Sequence, residues 1–241
     1  LDHNIENLSG LWNDICDKAL RFVDIIGNKM KIEIWSDIMC PFCYIGKRHL
    51  EKALETFPGK DEVEIEWKSF QLDPTIPMDL GEETSVYDYL AARKGISLEQ
   101  VKLMHDRVSD MAEAVGLHYD FDQAKVANSL KSHHLIQYAK DQGKGDAIEE
   151  RLFQAYFMEG KNLALDEALV ECGEAVGLSR EGILNALQDE NYAYRVKQDI
   201  QEGENLGVRG VPFFVFDRKY GISGAEPIEV FTKTLLQTAA E

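Results

Sequence analysis

Strand-type alternation in this chain occurs in two places only, and a long helical stretch keeps them apart. "KIEIW" (residues 31–35) alternates and is β-rich, and it reads as a strand ending near Ser36. Ile45, Leu50 and Leu54 then continue as a helix up to Pro58-Gly59. "EVEIEWKSF" (62–70) alternates again, with Val63, Ile65, Trp67 and Ser69 on one face. The connection between these strands is long enough for parallel pairing. Strand character returns at "VPFFVFD" (211–217) and "YGISGA" (220–225). "EPIEVFTKTLLQTAA" follows as a terminal helix, with Pro227 near its first turn. The order βαβ, helical block, ββα predicts an α/β fold whose small sheet is assembled from two halves split by a helical insertion.

From about residue 84 to 204 the pattern is helical, with roughly six helices expected. Ser97 with Gln100, and Asp146 with Glu149, read as capping boxes or close relatives of one. Val101, Met104, Val108, Met111 and Val115 form one apolar stripe, and Gly95, Gly116, Gly143, Gly160 and Gly177 fall where helices should end. Upstream, Leu11, Ile15, Ala19, Phe22 and Ile26 give residues 10–27 the face of a packed accessory helix, stopped by Gly27-Asn28. Met30 is the alternative start of the chain.

The charge balance excludes some partners. With 43 acidic against 26 basic residues, the net charge of −17 repels phosphate backbones, so nucleic acid is not an expected partner. The acid is spread along the chain, as on a solvated surface. No apolar run is long enough for a membrane span. The N-terminus lacks a signal-peptide pattern, so a cytoplasmic location is expected. Asn7-Leu8-Ser9 matches a glycosylation sequon that nothing else supports.

"CPFC" sets Cys40 and Cys43 three residues apart, and three chemistries compete for the pair. Zinc wants four ligands, typically two close pairs. Cys16 and Cys172 are solitary, and His133 and His134 are adjacent, so half of a ligand set is missing and no metal is expected. Burial as small core residues suits Cys172, which continues the stripe Leu169, Cys172, Val176. It suits Cys40 poorly, because that residue falls between a strand and a helix. Redox chemistry uses the position directly. Cys40 falls at the N-cap of a helix starting at Pro41, where unpaired N–H groups and the positive end of the dipole favour a thiolate. Cys43 is one turn on and can reach back. Lys47 and Arg48 follow on the same helix, where they can add positive potential, though a solvated face is the simpler reading.

The chain resembles the DsbA family of thioredoxin-like oxidoreductases, most closely a FrnE-like branch. The resemblance rests on "SDIMCPFCYIGKRHLE", "ANSLKSHHL", "LFQAYFMEGKNL" and "GVRGVPFFVFDRKYGISGAEP", in that order, over residues 30 to about 240. It implies a thioredoxin-like domain formed by 30–78 and 205–241, an inserted helical domain over 79–204, and an N-terminal helical extension over 1–29. It implies that Cys40 and Cys43 carry dithiol–disulfide exchange and that Val211-Pro212 is a cis peptide facing the thiols, its backbone able to pair with an extended substrate chain. Pro41 and Phe42, between the cysteines, join Val211 and Pro212 as expected substrate-side residues. Asn128 and His133 match a helical pattern of the branch and are carried as substrate-side candidates, with a satisfied interhelical histidine as the competing reading; His134 reads as core. The expected substrates are proteins or small molecules bearing thiols or disulfides. No tightly bound cofactor is implied, and glutathione is a candidate co-substrate. Related glutathione-dependent isomerases and transferases of kappa type lack the second thiol. That activity, and a chaperone-like peptide binder, remain the alternatives. Tyr44 and Trp35 are candidate flanking aromatics, though core packing explains both more simply.

Overall fold

The structure, a computed structural model, describes residues 29–78 and 84–241. The helix expected over 10–27, Cys16 and the sequon at Asn7 lie outside the described residues. The strands are β1 (Met30–Ser36), β2 (Val63–Ser69), β3 (Phe213–Phe216) and β4 (Tyr220–Ser223). The helices are α1 (Pro41–Glu55), α2 (Val86–Lys94), α3 (Leu98–Glu113), α4 (Leu130–Asp141), α5 (Gly145–Phe157), α6 (Asp166–Ala175), α7 (Arg180–Gln188), α8 (Glu190–Asn205) and α9 (Ile228–Ala239). Seven of these fall in the helical block, α2 to α8, against the roughly six expected. Among the described residues, no helix is long and apolar enough to cross a membrane.

The sheet order is β2-β1-β3-β4. β1 pairs in parallel with β2, from Met30 opposite Val63 to Ser36 opposite Ser69, with α1 in the crossover. On its other edge β1 pairs antiparallel with β3, Trp35 opposite Phe213, and β3 pairs antiparallel with β4. The two ends of the sequence pattern therefore meet along β1. The period of two explains why β1 tolerates this central place: Ile32, Ile34 and Ser36 point to one face, and Glu33 and Trp35 to the other. All five are buried.

The first face is covered by α1 and α9. Leu50, Ala53, Phe231 and Leu235 join Ile32, Ile34, Phe214 and Phe216 in one apolar cluster. Phe214 and Phe231 meet edge to face at 4.8 Å. Each such side chain contributes about 1.5–3 kcal/mol by leaving water. The second face packs Trp35 against Val208 and Val215 beneath α8. Trp35 Nε1 donates to the Asp199 carbonyl at 2.7 Å. A Cβ on Gly203 would stand 2.7 Å from that nitrogen, so only glycine lets α8 come this close.

α4 forms the middle of the helical block. Its Ser132, His133, His134, Leu135, Ile136, Gln137 and Ala139 are all buried, which is how a helix surrounded by others reads. α5 lies between α4 and the sheet; its Phe153 stacks on Tyr44 of α1 at 4.8 Å. The apolar cluster runs without a break from the sheet into these helices. The expected box at Ser97 and Gln100 is present in full, and the five glycines expected at helix ends all have positive φ.

Two expectations for the helices need correction. The buried stripe of α3 is Val101, His105, Val108 and Ala112, while Met104 and Met111 are 39% and 43% exposed. The His105 ring takes the core position because it stacks on Phe121 at 4.1 Å and lies against Tyr87 at 4.9 Å. Asp146 and Glu149 form no capping box. α5 begins at Gly145 with Lys144 as its cap, and Glu149 points inward.

Candidate active site

The end of β1 and the start of α1 place the two cysteines. After Ser36 the chain turns through Asp37, whose carbonyl accepts the Cys40 N–H at 2.9 Å. Cys40 is the N-cap of α1, with extended backbone angles, no side-chain cap bond and Pro41 following as the first helical residue. Proline loses nothing there, because the first N–H groups of a helix lack intrahelical partners. The Cys43 N–H returns to the Cys40 carbonyl at 3.0 Å, closing the first turn beneath both side chains. Both cysteines are free thiols.

The sulfurs occupy unequal surroundings. Cys40 is 3% exposed, and its thiol donates to the Val211 carbonyl at 3.4 Å. Phe42, one residue past Pro41, is 38% exposed and forms the apolar rim. Cys43 is deeper, at 1%. Burial first, and then the neighbouring Cys40 sulfur, push its thiol well above the ordinary cysteine range. The Asp37 backbone and the Ser36 hydroxyl oppose that rise.

The wall opposite α1 is the segment before β3. Val211-Pro212 is cis. Gly46 of α1 faces this wall. A Cβ there would lie 3.0 Å from Phe214 Cζ and 3.2 Å from Pro212 Cγ, so the missing side chain sets how near the helix comes to Pro212. The other flank is aromatic. Tyr119 donates to the Pro41 carbonyl at 2.8 Å and stacks on Phe157 at 4.6 Å. Burial first, then the Cys40 charge, raise its phenol. Tyr44 and Trp35 are both core residues, 1% and 0% exposed.

Lys47 and Arg48 are not a solvated face. The Lys47 side chain is 5% exposed and pairs with Glu150 at 3.0 Å, with Asp146 at 3.6 Å and with Glu51. Arg48 pairs with Glu150 and Glu51. Tyr44 donates to the same Glu150 carboxylate at 2.6 Å. Burial raises the Glu150 carboxyl, but the Tyr44 hydroxyl and Lys47 outweigh it and hold it below the usual carboxylate range. Local sequence places these cations on the rear of α1; what buries them is α5, which arrives from a hundred residues further along the chain.

His133 of α4 faces Asp37, three residues before Cys40, and Asn128 lies just before α4. Asn128 Oδ1 accepts from Leu130 N at 2.9 Å and from Gln71 Nε2 at 3.1 Å, and its Nδ2 donates to the Ile76 carbonyl at 2.6 Å. It brackets the start of α4 to the loop after β2. His133 is 1% exposed, with Nε2 3.8 Å from Asp37 Oδ1. Burial holds its imidazole below the usual range against the pull of Asp37. His134 Nδ1 donates to the Leu187 carbonyl at 3.2 Å, and the ring packs in the core. Sequence reasoning missed Ser36 and Glu149, which meet beside Cys43: Ser36 Oγ donates to Glu149 Oε1 at 2.7 Å. The signal was present, because Glu149, Leu152, Phe153 and Tyr156 share one helical stripe, and an acid on that stripe must be buried.

A second cleft of about 540 Å³, lined by Lys68, Lys140, Arg195 and Asp199 among others, opens beside β2 and α8. It lies on the Trp35 side of the sheet, away from the cysteines. Its charges answer one another, Lys68 lying 3.5 Å from Asp199 and 3.2 Å from Glu202.

Comparison with known proteins agrees with this architecture. The probable DsbA oxidoreductase SCO1869 from Streptomyces coelicolor is 40% identical, with a TM-score of 0.83 over 88% of this chain and 91% of that one. The uncharacterized protein YwbO of Bacillus subtilis is 28% identical over 209 residues, 85% of this chain and 94% of its own. The cytosolic disulfide reductase DsbM from Pseudomonas aeruginosa shares the fold at 19% identity and a TM-score of 0.59, over 86% of this chain and 98% of that one. The family model for the DSBA-like thioredoxin domain matches residues 31–236, and the chain belongs to that family.

Proposed function

We propose that this protein is a thiol–disulfide oxidoreductase and isomerase in which Cys40 attacks and Cys43 resolves. The observation that carries the reading is the asymmetry of the pair. Cys40 is at the helix N-cap beside an exposed phenylalanine, while Cys43 lies one turn deeper with a thiol that burial keeps protonated. The Cys40 thiolate attacks a substrate disulfide R–S–S–R′. One sulfur leaves as R′–S⁻ and is protonated by water, and R–S–S–Cys40 forms. Cys43 then attacks Cys40 Sγ and releases R–S⁻. The substrate has gained two electrons, and the protein holds a Cys40–Cys43 disulfide. The reverse sequence oxidises a dithiol substrate. Isomerisation needs only Cys40 and escape from the mixed disulfide.

The Val211 carbonyl, 3.4 Å from Cys40 Sγ, supports a role for this backbone in pairing with the chain that carries the substrate sulfur. Phe42 and Pro41 supply the apolar contact beside it. His133, buried against Asp37, serves the site by backing the turn that leads to the cysteines, and Asn128 by holding the loop after β2, whose Leu72 N–H donates to the same Asp37. Substrates are thiol- or disulfide-bearing proteins or small molecules. Glutathione fits as the small thiol that reduces the oxidised pair, in a cytoplasmic setting like that of the cytosolic DsbM. The test is insulin reduction by dithiothreitol with wild type and Cys40→Ser. Acceleration by wild type and none by the variant supports the reading; equal rates with and without wild type refute it. A glutathione-dependent isomerase would keep small-molecule turnover in the variant, and a peptide binder would lose nothing.

A further inference from the structure

The first turn of α1 carries both sulfurs, yet it lacks the devices that usually hold a helix start. Its N-cap is a cysteine whose side chain makes no cap bond, and no acidic residue stands in the turn. A serine, threonine or aspartate cap would bond one of the free N–H groups. Without such a partner the end of a helix frays. Fraying here would carry Cys43 away from Cys40, because only the wound turn sets residues three apart on one face.

The restraint comes from the helical block. Tyr119, in the segment between α3 and α4, donates to the Pro41 carbonyl at 2.8 Å. Pro41 opens the turn and lies between the cysteines. A carbonyl has two lone pairs, so this one can hold the phenol and its own helical N–H together. The phenol is itself firmly placed. Its ring stacks on Phe157, the last residue of α5, at 4.6 Å and meets Phe121 edge-on at 5.6 Å. The Asp120 N–H donates to the Phe157 carbonyl at 2.7 Å and anchors the adjoining backbone. Phe121 stacks in turn on His105 of α3 at 4.1 Å. Burial first, then the Cys40 charge, raise the phenol, so it remains a donor wherever thiol exchange runs. Tyr44, also stacked in this aromatic group, directs its hydroxyl to Glu150 instead of to the turn.

Resting on the exchange reading above, we propose that Tyr119 is a positioning residue of the redox turn: through Pro41 it keeps Cys43 in place to resolve the mixed disulfide, and so sets how often reduction is completed before the substrate escapes. Once R–S–S–Cys40 has formed, two fates compete. In one, the Cys43 thiolate attacks Cys40 Sγ, R–S⁻ leaves and takes a proton from water, and the Cys40–Cys43 bridge forms. In the other, a second thiolate of the substrate attacks the substrate sulfur, Cys40 leaves as a thiolate, and the substrate departs with a rearranged disulfide. The first fate depends on where Cys43 stands relative to Cys40, and the second does not. A turn held by Tyr119 favours the first. The helical block thereby tunes the pair toward reduction and away from isomerisation.

The test compares wild type with Tyr119→Phe, which keeps the ring and removes only the hydroxyl. With 5,5′-dithiobis(2-nitrobenzoate), attack by Cys40 releases one coloured thiolate, and attack by Cys43 on the resulting mixed disulfide releases the second. The readout is the ratio of the second rate to the first. Tyr119→Phe should leave the first rate unchanged and lower the ratio about 2- to 10-fold, the worth of one net hydrogen bond. The equilibrium constant for forming the Cys40–Cys43 bridge against glutathione should fall with it, a shift that lost stability elsewhere in the fold would not produce. Tyr44→Phe removes a hydroxyl from α1 itself and should keep the wild-type ratio. Phe157→Leu keeps the Tyr119 hydroxyl but removes the ring it stacks on. It should lower the ratio too, and if Tyr119→Phe does not fold, a wild-type ratio in Phe157→Leu overturns the proposal. A wild-type ratio and equilibrium constant in folded Tyr119→Phe, an equal fall in Tyr44→Phe, or a first rate that falls as far as the second overturns it as well. Each of these leaves disulfide exchange intact. If wild type itself releases one thiolate only and never forms a Cys40–Cys43 bridge, the exchange reading falls and the proposal falls with it.

Discussion

Glu149→Gln should make the reduced protein more stable at pH 8 while barely changing it at pH 5. The carboxyl is fully buried, and its pKa rises from 4.5 to about 8 on folding. The folded state therefore binds the proton more tightly than the unfolded state does. Between those two values the unfolded chain releases its proton first, so wild-type stability falls as pH rises. The contribution is intact below about 4.5 and is lost progressively up to about 8. At about 1.4 kcal/mol for each pH unit crossed inside that window, wild type loses about 3–4 kcal/mol between pH 5 and pH 8 through this one group. Glutamine keeps the shape and the acceptor for Ser36 but has nothing to titrate. Urea unfolding of both proteins at the two pH values, under reductant, measures the difference directly. The variant should gain about 3–4 kcal/mol over wild type on moving from pH 5 to pH 8. A stability difference that stays the same at both pH values, within about 1 kcal/mol, would mean that Glu149 is ionised in both states and that burial does not hold its proton.

Other outcomes follow from the same geometry. Gly46→Val forces side-chain atoms against Phe214 and Pro212; overpacking of this kind costs about 1–3 kcal/mol in urea unfolding, and disulfide reduction should fall with it as α1 is displaced. Glu150→Ala strips Lys47 and Arg48 of a shared carboxylate and leaves the Tyr44 hydroxyl without its acceptor. Because Glu51 and Asp146 remain, the loss should be about 1–3 kcal/mol by the same measurement. Phe231→Ala removes a ring that packs edge-on to Phe214 beneath the cis-proline wall, and should cost about 3–5 kcal/mol in chemical unfolding. Cys43→Ser should accumulate a mixed disulfide at Cys40, seen as an added substrate mass that excess thiol removes.

The parts of this fold that were legible in the sequence are those set by local rules. Alternation marked β1 to β4, and Pro41 after Cys40 marked the start of α1. Ser97 and Gln100 closed their box as expected, because both partners lie within one turn. The parts that were not legible depend on what arrives from elsewhere. Spacing alone allowed two stripes on α3, and the aromatic rings of Tyr87 and Phe121 chose the one containing His105. Lys47 and Arg48 look like surface residues until Glu150 is folded against them. Glu149 fits a capping box by spacing, but its true partner is Ser36, 113 residues away. The candidate site divides in the same way: the cysteines announce themselves, while Glu149, the partner of Ser36, arrives from the helical block.

If Cys40 and Cys43 exchange electrons as a pair, with Cys40 meeting the substrate first, covalent capture of a substrate must reveal it. Peptide mapping of the protein after reaction with a disulfide-bridged peptide, for wild type and for Cys43→Ser, reads this out at the sulfurs themselves. Wild type should show a bridge between Cys40 and Cys43 and a fully reduced peptide, and the variant should show the peptide held on Cys40 alone. Substrate found on Cys43, or wild type that leaves both thiols free beside an unreacted peptide, would overturn the assignment.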